Sequence, residues 1–409
     1  MIGIAAGMIS LGTWVYLFCF HGQFWSVNAD LADRDAANTA IAKRSLASDD
    51  AHRTVPNATN VIAVVPARDE ADVIALGISS LLTQAELAGV VLVDDNSRDG
   101  TAAVAREGAV RLGAAERLTI LNGSAVPQGW SGKVWAMGQG IDLAMAHRPD
   151  YLLLTDADIV HEPGSVGALV ALAQQGNRDL VSFMAKLHCN SWVEKLLIPA
   201  FVFFFFKLYP PRWIADRKRS TAGAAGGCML VKAETLARVG GVAAIHGEVI
   251  DDCALARLIK RSGGSIRLGL TTMVRSERAY SAGDVGRMIS RTAFNQLRHS
   301  VWLLIGACTG LALLYVAPVL LSFSAIGAAR LGTTPVGASV VLGVAAWLLM
   351  AVCYAPMVRF YGISRLWALT LPAAAIFYMG ATVHSAVSYW RGKGGRWKGR
   401  VQDRRVLHS

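Results

Sequence analysis

Residues 61–187 alternate between two hydrophobic patterns. "VIAVVPA" (61–67), "GVVLVDD" (89–95), "RLTILN" (117–122), "YLLLT" (151–155) and "DLVSFMAKL" (179–187) are continuous apolar runs, several of them ending on acids. Between them, "ADVIALGISSLLTQ" (71–84), "AAVAREGAVRLG" (102–113) and the stretch around 134–147 carry apolar residues at helical spacing. Strands that are apolar throughout, interleaved with helices, predict βαβ units and a mostly parallel sheet covered on both faces. The expected fold class is therefore α/β.

A different pattern marks the two ends of the chain. Residues 2–20 carry no charge and are long enough to cross a bilayer. A cleaved signal peptide fits less well, because no basic segment precedes the apolar one and the run is long. Three more apolar stretches follow the central region, at 301–329, 336–357 and 366–390. The last is the weakest, since Pro372, His384 and several Ser and Thr lower its apolarity. One N-terminal and two to three C-terminal transmembrane helices are expected.

Domain boundaries follow from these patterns. They are a membrane helix at 1–25, a polar linker at 26–59, an α/β domain at 60–300, membrane helices at 301–390 and a basic tail at 391–409. Within the domain, 192–213 has a short uncharged centre bounded by Lys195 and Lys207 and flanked by Trp192, Tyr209 and Trp213. It reads as an interfacial helix lying on the membrane and ended by Pro210 and Pro211. A buried core helix is the competing reading.

Composition narrows the partners. Only 17% of the 409 residues are charged, yet the net charge is +11. An excess of this sign suits nucleic acid, an anionic membrane or a phosphorylated substrate. The apolar spans select the membrane and argue against nucleic acid. Six cysteines without a CxxC pair read as reduced structural thiols.

Candidate chemistry gathers where strands stop. Asp94, Asp95, Asp156 and Asp158 fall at predicted strand ends, where open α/β sheets bind ligands. In "DADI" two carboxylates flank one residue, enough protein ligand for a hard divalent cation held mainly by substrate phosphates. "GWSGKVWAMGQG" sets Lys133 in a glycine-flanked turn before a helix, suited to a diphosphate; its spacing is not that of a Walker A loop. "HGEVIDDCALARLIKRSGG" brings Glu248, Asp251 and Asp252 to a helix start. His161, His188 and His246 lack metal-ligand spacing and read as polar loop residues.

"VVPARDEADVI", "VVLVDDNSRDGT", "GWSGKVWAM", "LLLTDAD" and "VIDDCALARLIKRSG", in this order, resemble the family 2 glycosyltransferases of GT-A fold over roughly residues 60–300. "PQGWSGKVWAM" and "AGGCMLVKAETLARVGGV", with the membrane layout, resemble most the hopene-associated glycosyltransferases, themselves similar to ceramide glucosyltransferase. The resemblance implies that Asp69 and Asp95 bind the uridine part of a nucleotide-sugar. Asp156 and Asp158 match a DxD motif, with Asp158 the direct ligand of Mn2+ or Mg2+. Asp252 matches the general base, and Asp251 stands where many members carry Glu. A QxxRW motif is half present: Arg298 aligns with its arginine as a diphosphate or acceptor contact, while Asn295 and His299 replace its Gln and Trp.

The function implied is an inverting transfer of one sugar from a nucleotide-sugar, expected to be a UDP-sugar, to a membrane lipid acceptor such as a hopanoid or other glycolipid precursor. A processive polysaccharide synthase, a nucleotidyltransferase and a non-catalytic scaffold are the alternatives. The expected location is the inner membrane, multi-pass, with the domain facing the cytoplasm. One conflict stands. Three full C-terminal spans would put the basic tail outside, against the positive-inside rule. The segment 366–390, as a re-entrant or surface helix, is the suspect.

Overall fold

The computed structural model describes residues 1–26, 59–330, 337–392, 394, 396–397 and 400–401. Nearly all of the expected linker and most of the basic tail lie outside the described residues.

The chain opens with helix α1 (Ile2–Cys19) and then enters the sheet domain: β1 (Val61–Ala67), α2 (Ile74–Leu82), β2 (Leu87–Asp94), α3 (Thr101–Arg111), β3 (Leu118–Asn122), α4 (Gly132–Met145) and β4 (Tyr151–Thr155). It continues through β5 (Ile159–His161), α5 (Ser165–Gln175), β6 (Leu180–Lys186), α6 (Trp192–Leu208), α7 (Pro211–Ala215), β7 (Cys228–Lys232) and α8 (Ala233–Arg238). The domain closes with α9 (Asp251–Arg261), β8 (Ile266–Ser276) and α10 (Ala282–Gln296). Then come α11 (Val301–Leu311), a π-helical turn at Ala312–Val316, α12 (Ala317–Arg330), α13 (Gly337–Phe360), a 3-10 turn at Arg365–Thr370 and α14 (Leu371–Trp390).

Eight strands form one sheet in the order β3-β2-β1-β4-β7-β6-β8-β5. Strands β3, β2, β1 and β4 are mutually parallel, and β6 pairs parallel with β8. Only the pairings of β7 with β4 and β6, and of β5 with β8, are antiparallel. The expected α/β sheet flanked by helices is thus the observed one. Strands β5, β7 and β8 were not read from the sequence: β5 has only three residues, and β8 is buried in an irregular pattern.

Both sheet faces are covered, which is why the strands read as unbroken apolar runs. Val61, Ala63 and Val65 pack into a core with residues of α2, α3 and α5. Ile62, Val64, Val91 and Val93 face the other way, under α4, in a core that also holds Trp14, Met350, Tyr354 and Tyr378 of the apolar end helices. The sheet domain and the apolar helices therefore share one continuous core.

Helix α6 is the seam of that core. A reciprocal capping box, Ser191 with Glu194, starts it. Leu197, Ile198, Ala200, Val202, Phe203 and Phe206 are all buried. The Phe203 ring lies 5.2 Å from Phe24 and 5.1 Å from Tyr354, and Phe204 lies 5.0 Å from Tyr378. Such burial is that of a core helix wedged between sheet domain and apolar helices, with Trp192 and Leu208 exposed at its ends. Among the described residues, four helical stretches, Ile2–Cys19, Val301–Ser324, Gly337–Phe360 and Arg365–Trp390, are long and apolar enough to cross a membrane.

Glycine sets the spacing of α2 against the turn after β4. A Cβ on Gly77 would lie 2.6 Å from the Ala157 carbonyl oxygen and 3.2 Å from that of Ile159. Gly77→Ala is expected to destabilise the protein by about 1–3 kcal/mol, as overpacking does. Gly108→Ala, where the new methyl meets only ordinary contacts, should be neutral or gain up to about 1 kcal/mol from helix propensity. Thermal unfolding of the two detergent-solubilised variants checks the contrast.

Candidate active site

The first pair of acids sits where β1 and β2 end side by side. Ala67 and Asp94 are register partners, and the Asp95 N–H donates to the Ala67 carbonyl at 2.8 Å. Asp69 and Asn96 take left-handed conformations, φ 50° and 55°, as short polar residues tolerate at turns. These turns bring the two loops together. Asp69 accepts the Arg98 N–H at 2.9 Å, and its own N–H donates to the Ser97 hydroxyl at 3.0 Å. Arg68 lies against Asp95, with its guanidinium 2.6 Å from the Asp95 carbonyl oxygen and 3.6 Å from its carboxylate.

The second group forms at the neighbouring strand end. After β4 the chain turns through Asp156, Ala157 and Asp158 into β5. Lys133, the second residue of α4, reaches into this turn. Its Nζ stands 2.8 Å from Asp156 Oδ1 and 3.4 Å from Asp251 Oδ2. Asp251 and Asp252 begin α9, where the helix dipole favours negative charge. Asp252 accepts N–H bonds from Gly226 at 2.8 Å and from Cys253 at 2.6 Å. Gly226 precedes β7, whose Cys228 pairs with Thr155 of β4, so the loop before β7 lies beside the Asp156 turn.

Asp158 is held from the other side. Its Oδ2 accepts from the Ser276 hydroxyl at 2.8 Å and from Arg278 Nε at 3.3 Å. Arg278 also pairs with Glu70, immediately after Asp69. A chain of ionic contacts thus joins the β1 loop to the β4 turn.

These contacts set the protonation of the cluster. Burial opposes the charge on Lys133, but Asp156, Asp251 and Asp252 together outweigh it and hold the ammonium above its ordinary value. Burial raises the Asp156 carboxyl, with Asp158 and Asp251 adding to it against the pull of Lys133. Burial, then the Asp251 charge, push Asp252 up to about 6 against Lys133 and its two N–H donors. Asp252 is therefore a carboxylate that can exchange a proton near neutrality, a property suited to a base.

The structure brings Lys133, Asp156, Asp251 and Asp252 into one cluster, sets Asp158 beside it, and connects Asp69 and Asp95 through the adjoining loops. Arg298 is not part of it. That residue follows α10 in a left-handed conformation, φ 52°, is exposed, and makes no hydrogen bond or ion pair with these acids. Sequence reasoning missed Arg68, Glu70, Ser276 and Arg278. Arg68 and Glu70 flank Asp69 in "ARDE", the one local signal available. His161 is no loop residue: it is buried in β5, bonded to Thr155 at 3.1 Å, and burial pushes it down to about 4, so it stays neutral.

A divalent cation fits the Asp156–Asp158 turn. Asp156 Oδ2 and Asp158 Oδ1 have no hydrogen bond among the described residues, and carboxylate oxygens suit hard cations. Among the described residues no group of three or more His, Cys, Asp or Glu forms a closed metal cage. A cation here would be completed by phosphate oxygens and water.

Residues 62–240 match the family model Glycosyl transferase family 2. It holds Asp69, Asp95, Lys133, Asp156 and Asp158, while Asp251 and Asp252 follow it. No curated protein matches the chain. Among solved structures, one that is similar is the mannosyltransferase PcManGT from Pyrobaculum calidifontis in complex with GDP-Man and Mn2+. It is 18% identical over 85% of this chain and 97% of that one, with a TM-score of 0.44. Another is glucosyl-3-phosphoglycerate synthase from Mycobacterium tuberculosis in complex with Mn2+, UDP-Glc and phosphoglyceric acid. It is 14% identical over 61% of this chain and 86% of that one, with a TM-score of 0.37. Similarities at this level assign no ligand.

Lys133 is the main counter-charge of the cluster, so Lys133→Met leaves buried carboxylates facing one another. The expected loss is about 1–3 kcal/mol at neutral pH. Raised carboxyls make the folded state bind more protons than the unfolded one, so stability falls as pH rises through their folded values. The deficit of the variant should therefore shrink at pH 5 and widen toward pH 8, read as the difference in Tm from wild type across that range.

Proposed function

We propose that the chain is a membrane-bound family 2 glycosyltransferase that moves one sugar from a nucleotide-sugar to a hydroxyl of a lipid acceptor, with inversion. The observation that carries this reading is Asp252, partly buried and raised to about 6, in the same cluster as Lys133 and the Asp156–Asp158 turn. The family match over 62–240 supplies the reaction class.

Each residue then has a task. Asp69 and Asp95, at the paired ends of β1 and β2, receive the nucleoside. Asp156 and Asp158 hold Mn2+ or Mg2+, which when bound neutralises charge on the departing diphosphate. Lys133 adds a fixed positive charge at the same place. Asp252 takes the proton of the acceptor hydroxyl as its oxygen attacks the anomeric carbon. The bond from that carbon to the diphosphate breaks on the opposite face. One displacement inverts the configuration and needs no protein nucleophile.

A cavity of about 410 Å3 supports a membrane-borne acceptor. Cys189, Asn190 and Lys195 line it from the sheet domain, Tyr361, Ser364 and Trp367 from the apolar helices. Its walls call for an amphiphile with a polar head. The sequence resemblance narrows that to a hopanoid or sphingoid-like lipid.

Asp252→Asn is expected to lower turnover by about 10²–10⁴-fold while nucleotide binding persists. In wild type, turnover should climb tenfold per pH unit below about 6 and level above it. The assay offers UDP- and GDP-sugars, Mn2+ or Mg2+ and total bacterial lipid to membranes holding wild type, Asp252→Asn or Asp158→Ala, and follows new glycolipids by mass spectrometry. Unchanged turnover in Asp252→Asn would remove the base assignment. Metal-independent transfer, or transfer by Asp158→Ala at the wild-type rate, would remove the metal site.

A further inference from the structure

We infer that residues 361–390 enter the membrane and leave it on the side that bears the catalytic domain, so that the chain crosses three times and not four. The inference rests on the membrane-bound reading above and fixes what that reading leaves open.

The start of the segment is anchored to the domain. Helix α13 ends at Phe360, whose ring lies 5.4 Å from the Lys186 ammonium at the end of β6. The turn that follows, 361–364, lines the cavity with Cys189, Asn190 and Lys195. The end of the segment returns to the same side. Phe294 of α10 packs against Tyr389 and Trp390 at 5.4 and 5.6 Å, His299 stacks on Tyr389 at 4.0 Å, and Ala386 shares a small core with Leu304. Residues 294–304 are where the domain hands over to α11.

Between these anchors the chain penetrates only part of the way. The 3-10 turn rises along α13 until Trp347 Nε1 donates to the Leu369 carbonyl at 3.1 Å. Trp347 stands about 20 Å up the helix from Phe360, by a rise of 1.5 Å per residue. A hydrocarbon core is about 30 Å thick. Helix α14 then runs beside α10 in the same direction. A Cβ on Gly286 would meet Phe377 at 3.6 Å, and further along Ser385 Oγ accepts the Phe294 N–H at 3.1 Å and donates to the Ser290 carbonyl. Helix α10 carries Asp284, Arg287 and Arg291, with Arg287 largely exposed. Such charges at a bilayer centre would cost about 2.5–3.5 kcal/mol each, so the pair belongs at one face of the membrane.

The far side is marked independently. Near the start of α1, a Cβ on Gly3 would lie 3.3 Å from Leu321 and 3.5 Å from Ser339, so α1, α12 and α13 meet there. No contact of 361–390 is needed at that level. Three crossings then put the catalytic domain and the basic residues after Trp390 on one side, as the positive-inside rule requires. The partner of α14 is the adjacent leaflet, presented with exposed Leu366, Ile376, Val383 and Trp390.

Cysteine labelling tests this with the full chain in bacterial membranes, in a Cys19→Ser, Cys189→Ser, Cys308→Ser background that keeps only the buried Cys228, Cys253 and Cys353 and is measured alongside. Glu107→Cys marks the domain, Gly337→Cys the far side, and Arg391→Cys the end of α14. A membrane-impermeant maleimide should label Gly337→Cys in spheroplasts, and Glu107→Cys and Arg391→Cys only in inverted vesicles. Labelling of Arg391→Cys together with Gly337→Cys would establish four crossings and overturn the inference. Protein released by alkaline carbonate, with every site labelled in both preparations, would instead overturn the membrane-bound reading beneath it.

Discussion

Asp69, Glu70, Asp95, Asp156, Asp158, Asp251 and Asp252 crowd one edge of the sheet, and the cationic side chains of Arg68, Lys133 and Arg278 stand between them. Arg68 serves Asp95, Arg278 ties Glu70 to Asp158, and Lys133 separates Asp156 from Asp251. Each cation comes from a different element from the acids it serves or bridges two such elements. Lys133 on α4 binds the β4 turn to the start of α9; Arg278 binds the same turn to the β1 loop. Repulsion among the acids and the assembly of the site are thus one problem with one solution. Under the proposed function the remaining negative excess would attract a divalent cation, which would let an anionic diphosphate approach the edge.

The same network reaches the apolar helices. Glu194, buried at the start of α6, accepts N–H bonds from Asn190, Ser191 and Tyr280 and an interaction from His188. Burial would raise its pKa, but these donors hold it down to about 2, so it is a permanent anion in a fixed place. Tyr280 lies two residues beyond Arg278, which grips Asp158. A short covalent and hydrogen-bonded path therefore joins the helix that forms the seam with the apolar helices to the turn that would carry a metal. Movement of α6 relative to the sheet cannot leave Arg278 undisturbed.

Much of this arrangement was legible in the chain because burial on both faces writes strands as nearly unbroken apolar runs, and β1, β2, β4 and β6 have that signature, while the edge strand β3 is only partly buried. The acids were legible because they interrupt those runs. Arg68, Glu70 and Arg278 were not. Each reads as an ordinary surface charge until the sheet order sets β1 beside β4 and lets the chain beyond β8 fold back on the β4 turn. Arg298 is the opposite case: it has a partial motif, and the left-handed turn after α10 carries it to an exposed position apart from the acids. Helix α6 misled through its lysines. Lys207 marks a polar flank in sequence, yet its ammonium bonds Tyr315 at 2.7 Å, and burial lowers it to about 8.

A three-crossing chain changes what the acceptor cavity can do. A pocket between two full spans would open to the membrane midplane, far from a sheet edge in water. The cavity here is walled by the turn at 361–364 and by the domain, with Trp192 and Leu366 exposed nearby. Tryptophan at such a position settles at the headgroup level. An amphiphile held in one leaflet would keep its tail among lipids beside α14 and present only its head to the cavity. Under the proposed function its hydroxyl would be presented from the leaflet, while the nucleotide-sugar would arrive from the aqueous side over the ends of β1 and β2. The two substrates of the proposed function differ completely in solubility, and a partial penetration beside a charged sheet edge would let each approach from its own phase.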